Sequence, residues 1–182
     1  VPDDQLLGTR DRGFYETMKN FQNERMVLVG MGVGAAQRAI DVTNLYCQER
    51  KAFGKYLQQY SNIGDWIAES RIEIEQARLL VLKTAWMIDQ VGTKAARKEI
   101  SMIKALVPSL HTTVLDRAMQ VFGAMGISPD TPLADHWTWG RAMRFFDGPD
   151  EVHLRVIARM EIKQSRATLD ASAAYLTPPL RE

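Results

Sequence analysis

The stretch from Arg141 to His153 has the residue types and the spacing best suited to acid–base chemistry. Its centre is Asp147, a carboxylate that separates two helical patterns and follows a cationic and aromatic segment. Gly148 favours a turn after it, and Pro149 can open a helix because it has no N–H to lose. A carboxylate at such a break either caps the next helix or is free to remove a proton from a bound substrate. The local sequence leaves both interpretations open.

A second pair of candidate residues, Glu24 and Arg25, stands immediately before an apolar segment, Met26–Ala36. Neither residue has an oppositely charged partner three or four positions away on the predicted helix. Burial of an unpaired charge is costly, so each should either pair with a group from a distant part of the chain or face a polar cavity.

Three glycines, Gly30, Gly32 and Gly34, lie within that apolar segment. A phosphate-binding glycine loop must follow a strand and open a helix, whereas these glycines lie inside a helical pattern and lack the required spacing. We therefore interpret the segment as a helix buried on several sides, in which the glycines let neighbouring backbones approach closely.

The composition limits the function classes that need to be considered. With 182 residues, 46% of them hydrophobic and 25% charged, the chain can form one globular domain with a substantial core. A net charge of +1 gives no reason to expect nucleic acid or an anionic membrane as a partner, and no apolar run is long enough to span a bilayer. His111, His136 and His153 lack the spacing of a metal site. The single Cys47 excludes an internal disulfide, so the chain does not need an oxidising compartment and we expect a reducing one such as the cytoplasm.

Apolar residues repeat at three- and four-residue spacing in five segments, which predicts five helices. The predicted helices cover about 14–48, 61–91, 100–121, 133–146 and 149–166. No segment alternates as a strand does, so we predict an all-α fold, an antiparallel up-and-down helical bundle. Residues 1–12 are interpreted as a connector from a preceding β-domain, 13–166 as the bundle domain, and 167–182 as a poorly ordered C-terminal tail.

Several short motifs occur in one characteristic order along the chain. They are Val1-Pro2 with Leu7-Gly8, Glu24-Arg25, Gln37-Arg38-Ala39, Glu49 to Gly54, Gln120 to Gly123, and Asp147-Gly148 followed by Ile157-Ala158-Arg159. In this order and spacing the chain resembles, over nearly its whole length, the C-terminal helical domain of the acyl-CoA dehydrogenases. The Asp-Gly-Pro-Asp-Glu-Val-His run at 147–153 resembles the branch that in animals is fused to a phosphotransferase-like kinase domain.

The resemblance implies oxidation of an acyl-CoA thioester to its trans-2-enoyl form. In the family a carboxylate removes the α-proton while the β-hydride leaves to flavin, and the usual base position, a glutamate followed by glycine, is Asp147 here. In the isovaleryl and long-chain branches the base instead precedes the arginine that matches Arg25, which makes Glu24 the alternative base. We favour Asp147 because the surrounding residues match a branch with aspartate there. The resemblance also assigns Arg25 and Phe21 to substrate binding.

The cofactor implied by the resemblance is FAD. Arg50 and Phe53 match contacts to its pyrophosphate region that reach across a subunit boundary, Gln120 and Gly123 match contacts to its adenosine half, and Glu151 is assigned to the cofactor as well. A homodimer or homotetramer is therefore expected, with an electron-transferring flavoprotein as the partner that accepts the electrons.

Two other functions are kept as alternatives. A nitroalkane oxidase-like member of the superfamily would also use an aspartate base but would pass electrons to oxygen. A non-catalytic helical module would have kept the bundle for assembly. The family holds the flavin ring and the acyl chain with segments that lie N-terminal to this region, so we expect the 182-residue chain alone to be colourless and inactive.

Overall fold

Five helices make up most of the computed structural model, which describes residues 2–169. Helix α1 spans Gly13–Glu49, α2 Ser61–Ala95, α3 Arg97–Phe122, α4 Leu133–Met143 and α5 Asp150–Leu169. Short 3-10 turns cover Asp3–Gln5, Leu57–Gln59 and Gly123–Ile127. The all-α fold class is therefore confirmed. The predicted domain boundaries stay a prediction, and most of the predicted tail lies outside the described residues, except that α5 continues to Leu169.

A small hairpin follows α1 and corrects the expectation that no strand is present. Strand β1, Lys51–Ala52, pairs antiparallel with β2, Lys55–Tyr56. Phe53 and Gly54 form the turn between them, with φ of 50° and 84°. Positive φ at both central residues is typical of the two-residue hairpin turn that matches the twist of the strands. Strands of two residues are too short to show alternation in the sequence.

Helix α3 is the central helix, because it packs against each of the other four. Its buried face includes Ile103, Val107 and Val114, which join Val29 and Val33 of α1 in the main core. These positions repeat every three or four residues, as the sequence predicted.

The glycines of α1 do not all serve the close packing that was expected. A Cβ atom on Gly32 would lie 2.8 Å from Cγ1 of Val107, so α1 can approach α3 at this point only without a side chain. Gly30 and Gly34 have nothing within 4 Å of that position. The expectation is correct for Gly32 and wrong for its two neighbours within the described structure.

Two helix ends differ from the predicted bounds for visible reasons. Gly92, with φ 78° and ψ 164°, interrupts α2 where the sequence predicted its end, but helical turns resume to Ala95. Helix α4 stops at Met143, three residues before the predicted position, because residues 144–147 form turns and Gly148 a bend. This early end leaves a separate loop between α4 and α5. Among the helices of residues 2–169, none has the length and apolar character needed to cross a membrane.

Candidate functional site

The segment from Arg144 to Pro149, which we call the α4–α5 loop, carries Asp147 in an unusual backbone conformation. Asp147 has φ 53° and Gly148 has φ 108°. The left-handed region costs a residue with a side chain about 1–2 kcal/mol, so the surrounding structure must hold Asp147 there.

Two side chains hold the backbone of this loop at Asp147. Arg25 of α1 donates two hydrogen bonds to the Asp147 carbonyl oxygen, from Nε at 3.0 Å and from Nη2 at 2.8 Å. Its third nitrogen, Nη1, donates to Gln22 at 3.0 Å. Nε2 of His153, on α5, lies 3.3 Å from the same carbonyl oxygen. Arg25 therefore has the long-range partner that the sequence required, but that partner is a main-chain carbonyl.

A third side chain, Lys104 of α3, holds the loop at both ends. Its side chain is fully buried. Its Nζ donates to the carbonyl of Met143 at 2.8 Å and to the carbonyl of Gly148 at 3.1 Å. These contacts join the last residue of α4 to the residue that follows Asp147.

Burial shifts the pKa values of all three anchoring groups. It lowers the pKa of Arg25 and of Lys104, and in each case the nearby charge of Asp147 opposes the shift. Burial, with the charges of Arg25 and Lys104, lowers the pKa of His153 to about 4. His153 is therefore neutral at pH 7, and a nitrogen facing a carbonyl must carry the proton. We infer the tautomer in which Nε2–H donates to the Asp147 carbonyl.

A groove of about 570 Å³ lies beside the loop and contains both candidate bases. Asp147 and Phe146 line one side, and α1 supplies the rest of the lining: Asn20, Asn23, Glu24, Val27, Leu28 and Met31. Phe21, which was assigned to the substrate, is half-buried on α1 and is not part of the lining.

The two carboxylates in the groove differ in their hydrogen bonding. Glu24 is exposed and accepts a hydrogen bond of 2.6 Å from Nδ2 of Asn20. Within residues 2–169 the only hydrogen bonds of Asp147 are those to its main-chain carbonyl, so its carboxylate accepts no hydrogen bond there. Among residues 2–169 no N–H group of α5 donates to the Asp147 carboxylate, so the capping interpretation is not confirmed; the N–H groups of Val152 and His153 bond to the carbonyl of Pro149.

An apolar cavity of about 300 Å³ adjoins the groove, since the two share Leu28 and Met31. Its remaining lining is Ala35, His111, His136, Trp139 and Met143. His111 is 2% exposed, and neither ring nitrogen has a hydrogen-bond partner among the described residues. Burial lowers the pKa of His111 to about 4, so the ring is neutral at pH 7.

The residues assigned to FAD lie in two separate places. Arg50 is exposed at the base of the hairpin, and Phe53 at its tip is 99% exposed. Gln120 and Gly123 are exposed at the end of α3. Tyr46 of α1 stacks on Phe122 with ring centroids 4.1 Å apart, which places both segments at the same end of the bundle.

Glu151 lies at the opposite end, in the first turn of α5 next to the α4–α5 loop. That loop contacts Arg25, and the 24 residues from Arg25 to the end of α1 rise by about 36 Å. The exposed guanidinium and aromatic ring of the hairpin fit a cofactor with phosphates and flat rings. One copy of the chain does not bring them to the Asp147 end.

The described residues contain no cluster of three or more histidine, cysteine, aspartate or glutamate side chains that could hold a metal ion. Asp150 and His153, which follow Asp147 at a spacing that could imitate a ligand set, have other contacts. One carboxylate oxygen of Asp150 pairs with Nε of Arg144 at 2.5 Å, and His153 faces the Asp147 carbonyl.

Two buried polar residues near the site had no predicted role there: Lys104 was not singled out in the sequence, and His111 was considered only as a metal ligand. A signal was available, because Lys104 stands four residues after Ile100 and three before Val107, and His111 stands four after Val107. Both therefore fall on the apolar face of α3. A polar residue on such a face requires a partner or a function.

Comparison with known proteins agrees with this architecture. Residues 11–162 match the family profile described as "Acyl-CoA dehydrogenase, C-terminal domain". The chain belongs to the acyl-CoA dehydrogenase family. It is 46% identical over 172 residues to the probable acyl-CoA dehydrogenase FadE2 of Mycobacterium tuberculosis, covering 94% of this chain and 42% of that protein.

Two further relatives extend the comparison. The chain is 46% identical over 167 residues to mouse acyl-CoA dehydrogenase family member 10, covering 91% of this chain and 16% of the mouse protein. The solved structure of butyryl-CoA dehydrogenase from Megasphaera elsdenii superposes with a TM-score of 0.81 at 26% identity, over 89% of this chain and 42% of that one. The chain thus spans less than half the length of each of these relatives.

Proposed function

We propose that this chain forms the C-terminal helical part of an FAD-dependent acyl-CoA dehydrogenase in which Asp147 is the catalytic base. The observation that carries the proposal is the carboxylate of Asp147, which accepts no hydrogen bond within residues 2–169 and lines a groove of about 570 Å³. Side chains from α1 and α5 hold the Asp147 carbonyl, and one from α3 holds the carbonyl of the next residue. A base needs a fixed position and a free carboxylate, and this arrangement provides both.

The proposed reaction converts an acyl-CoA thioester into the trans-2-enoyl-CoA. A carboxylate oxygen of Asp147 takes the α-proton, and the electron pair of that C–H bond becomes part of the new carbon–carbon double bond as the β-hydrogen leaves with its own electron pair. Bound FAD would supply the acceptor for that hydride. Because aspartate is one methylene shorter than glutamate, the α-carbon must sit close to the loop. Phe146 and Leu28, which also line the groove, place apolar surface beside the position of the reacting atoms.

Glu24 is the alternative base, because it lines the same groove. Two features favour Asp147 over it. The Glu24 carboxylate already accepts a hydrogen bond from Asn20, and the 46% identity with mouse family member 10 supports the branch suggested by residues 147–153. We assign Glu24 to the polar wall of the groove.

Cofactor binding in this proposal involves two copies of the chain. Arg50, Phe53, Gln120 and Gly123 of one copy would hold the pyrophosphate and adenosine half of FAD, while Glu151 lies beside the reacting end in the other copy. The rise of about 36 Å along α1 between the two groups supports this division, because it places them at opposite ends of one copy. We further propose a homodimer or a homotetramer as the assembly, and an electron-transferring flavoprotein as the partner that reoxidises the flavin.

Anaerobic flavin reduction tests the proposed base. Asp147→Asn and Glu24→Gln should be prepared in the full-length protein and mixed with an acyl-CoA while the flavin absorbance is followed. Asp147→Asn should bind the acyl-CoA but lose bleaching by a factor on the order of 10²–10⁴, and Glu24→Gln should bleach at a rate close to that of the unaltered protein. Bleaching by Asp147→Asn together with its loss in Glu24→Gln would reverse the assignment.

A different outcome would change the reaction class. If nitroalkanes reduce the flavin and oxygen alone reoxidises it with release of hydrogen peroxide, the protein is an oxidase and needs no electron-transfer partner. If full-length protein binds no flavin, the bundle is an assembly module.

A further inference from the structure

Lys104 is a buried cation whose hydrogen bonds go to the backbone. Its side chain is 0% exposed, and both acceptors of its ammonium are main-chain carbonyls, those of Met143 and Gly148. Burying an ammonium ion costs several kcal/mol unless its environment compensates. A lysine that served only to fill the core would be replaced at lower cost by methionine or leucine of similar volume. The hydrogen bonds of Lys104 therefore call for an explanation.

The two carbonyls that Lys104 contacts mark the ends of the α4–α5 loop. Met143 is the last residue of α4, where carbonyls have no helical N–H partner and a cation is favoured by the helix dipole. Gly148 directly follows Asp147. The Lys104 Nζ atom lies 2.8 Å from the Met143 carbonyl oxygen and 3.1 Å from the Gly148 carbonyl oxygen. These two hydrogen bonds therefore keep the residues on either side of the Asp147 segment next to each other.

The anchoring at Asp147 itself is different in kind. Arg25 and His153 contact the carbonyl of Asp147, and Arg25 is only half-buried. Those contacts define the position of one peptide group. One other side-chain pair spans the loop, that of Arg144 with Asp150, but it does not contact the carbonyls of Met143 and Gly148. Without Lys104, those two carbonyls would lose the ammonium that holds them together.

We propose that Lys104 is a positioning residue for the base. Its ammonium binds the carbonyls of Met143 and Gly148 from the core side of the α4–α5 loop. In this way it keeps Asp147 in its left-handed conformation and directs the carboxylate into the groove. The role of Lys104 rests on the proposed function of Asp147, although the fastening of the loop does not. Removal of Lys104 should thus loosen the loop and slow the chemical step while leaving substrate binding nearly unchanged.

The test uses Lys104→Met in the full-length protein, with Lys98→Met as the matched control. Both lysines lie on α3, and the substitution is the same. The Lys98 ammonium pairs with Glu161 at 2.8 Å near the surface and does not contact the loop. Lys104→Gln is the third variant, because its amide N–H groups can still donate to a carbonyl without carrying charge.

The first measurement is amide hydrogen exchange by mass spectrometry. Loss of one charged hydrogen-bonding group should lower the free energy of opening the loop by at least about 1.4 kcal/mol. That change makes amide exchange in the loop about tenfold faster. Exchange of the amide hydrogens of residues 144–148 should accelerate at least about tenfold in Lys104→Met, with little change in α1 and α2. Lys104→Gln should fall between Lys104→Met and the unaltered protein, and Lys98→Met should match the latter. If Lys104→Met does not fold, loop exchange in Lys104→Gln decides the question.

The second measurement separates binding from chemistry. With acyl-CoA varied, the limiting rate of flavin reduction in Lys104→Met should fall on the order of 100-fold, whereas the Kd for acyl-CoA should change by less than about threefold, as in Lys98→Met. Loop exchange within twofold of the unaltered protein, or an acceleration spread evenly over all helices, would overturn the proposal. If Asp147→Asn reduces flavin normally, the proposed base is wrong, yet the exchange result still decides whether Lys104 fastens the loop.

Discussion

Alanine at Gly32 should destabilise the chain, whereas alanine at Gly30, two residues earlier in the same helix, should stabilise it. Alanine is favoured over glycine inside a helix by roughly 0.5–1 kcal/mol, and this gain applies at both positions. Gly30 is exposed and has nothing within 4 Å of a new Cβ. The full gain should therefore appear in Gly30→Ala.

The position of Gly32 adds an opposing cost. Its new Cβ would lie 2.8 Å from Cγ1 of Val107, closer than carbon atoms pack, and 3.7 Å from the Met143 sulfur. Val107 is fully buried on α3 and stiff at χ1 in a helix, so it cannot turn away. Overpacking of this kind costs roughly 1–3 kcal/mol. The difference between the two variants should thus be about 1–3 kcal/mol, with Gly32→Ala the less stable.

Urea unfolding followed by far-ultraviolet circular dichroism would measure this difference in the 182-residue chain. A double variant, Gly32→Ala with Val107→Ala, provides the internal check, since the smaller side chain makes room for the methyl group. Its destabilisation should be less than the sum of the two single effects. A Gly32→Ala chain as stable as Gly30→Ala would show that α1 does not press against α3 at this point and that the packing beside Met143 is looser than described.

Three further changes probe the site. Arg25→Met removes both hydrogen bonds to the Asp147 carbonyl, so the limiting rate of flavin reduction by acyl-CoA, measured by rapid mixing, should fall roughly 10- to 100-fold. Gly148→Ala places a side chain at φ 108° with its Cβ 3.1 Å from Nε2 of His153, which should lower the free energy of unfolding by about 1–3 kcal/mol in urea titrations. The pKa of His111 is about 4 in the folded chain and about 6.5 in the unfolded chain. The unfolded state therefore binds the proton first, and the free energy of unfolding should fall as the pH drops from 6.5 to 4. In urea titrations over this range, His111→Leu should reduce that slope by at most about 1.4 kcal/mol per pH unit.

The periodicity of the sequence was sufficient to predict the bundle. Apolar positions on α3 such as Ile103, Val107 and Val114 point to one buried face, and the break at Gly92 was visible as a glycine after the last apolar position. The hairpin at Lys51–Tyr56 was not predicted, because its pairing depends on two hydrogen-bonded residues per strand and leaves no alternating pattern.

The site was predictable in part. The charges of Asp147, Glu24 and Arg25 stood out against their surroundings, and the structure brings all three to one groove and the loop beside it. What holds that loop was not predictable, because Lys104 and Arg25 bond to main-chain carbonyls, which every residue has. A contact with a carbonyl leaves no complementary residue type elsewhere in the sequence, so only the folded arrangement reveals it.

Exchange of the α-hydrogens of a bound acyl-CoA is the most direct test of the central claim that the Asp147 carboxylate removes the α-proton. An acyl-CoA with sulfur in place of its β-carbon cannot lose a hydride, so proton NMR in D₂O would report proton removal alone in the full-length protein. If Asp147 is the base, exchange in Asp147→Asn should slow by a factor on the order of 10²–10⁴, while exchange in Glu24→Gln should stay close to that of the unaltered protein. Normal exchange in Asp147→Asn, together with loss of exchange in Glu24→Gln, would contradict it.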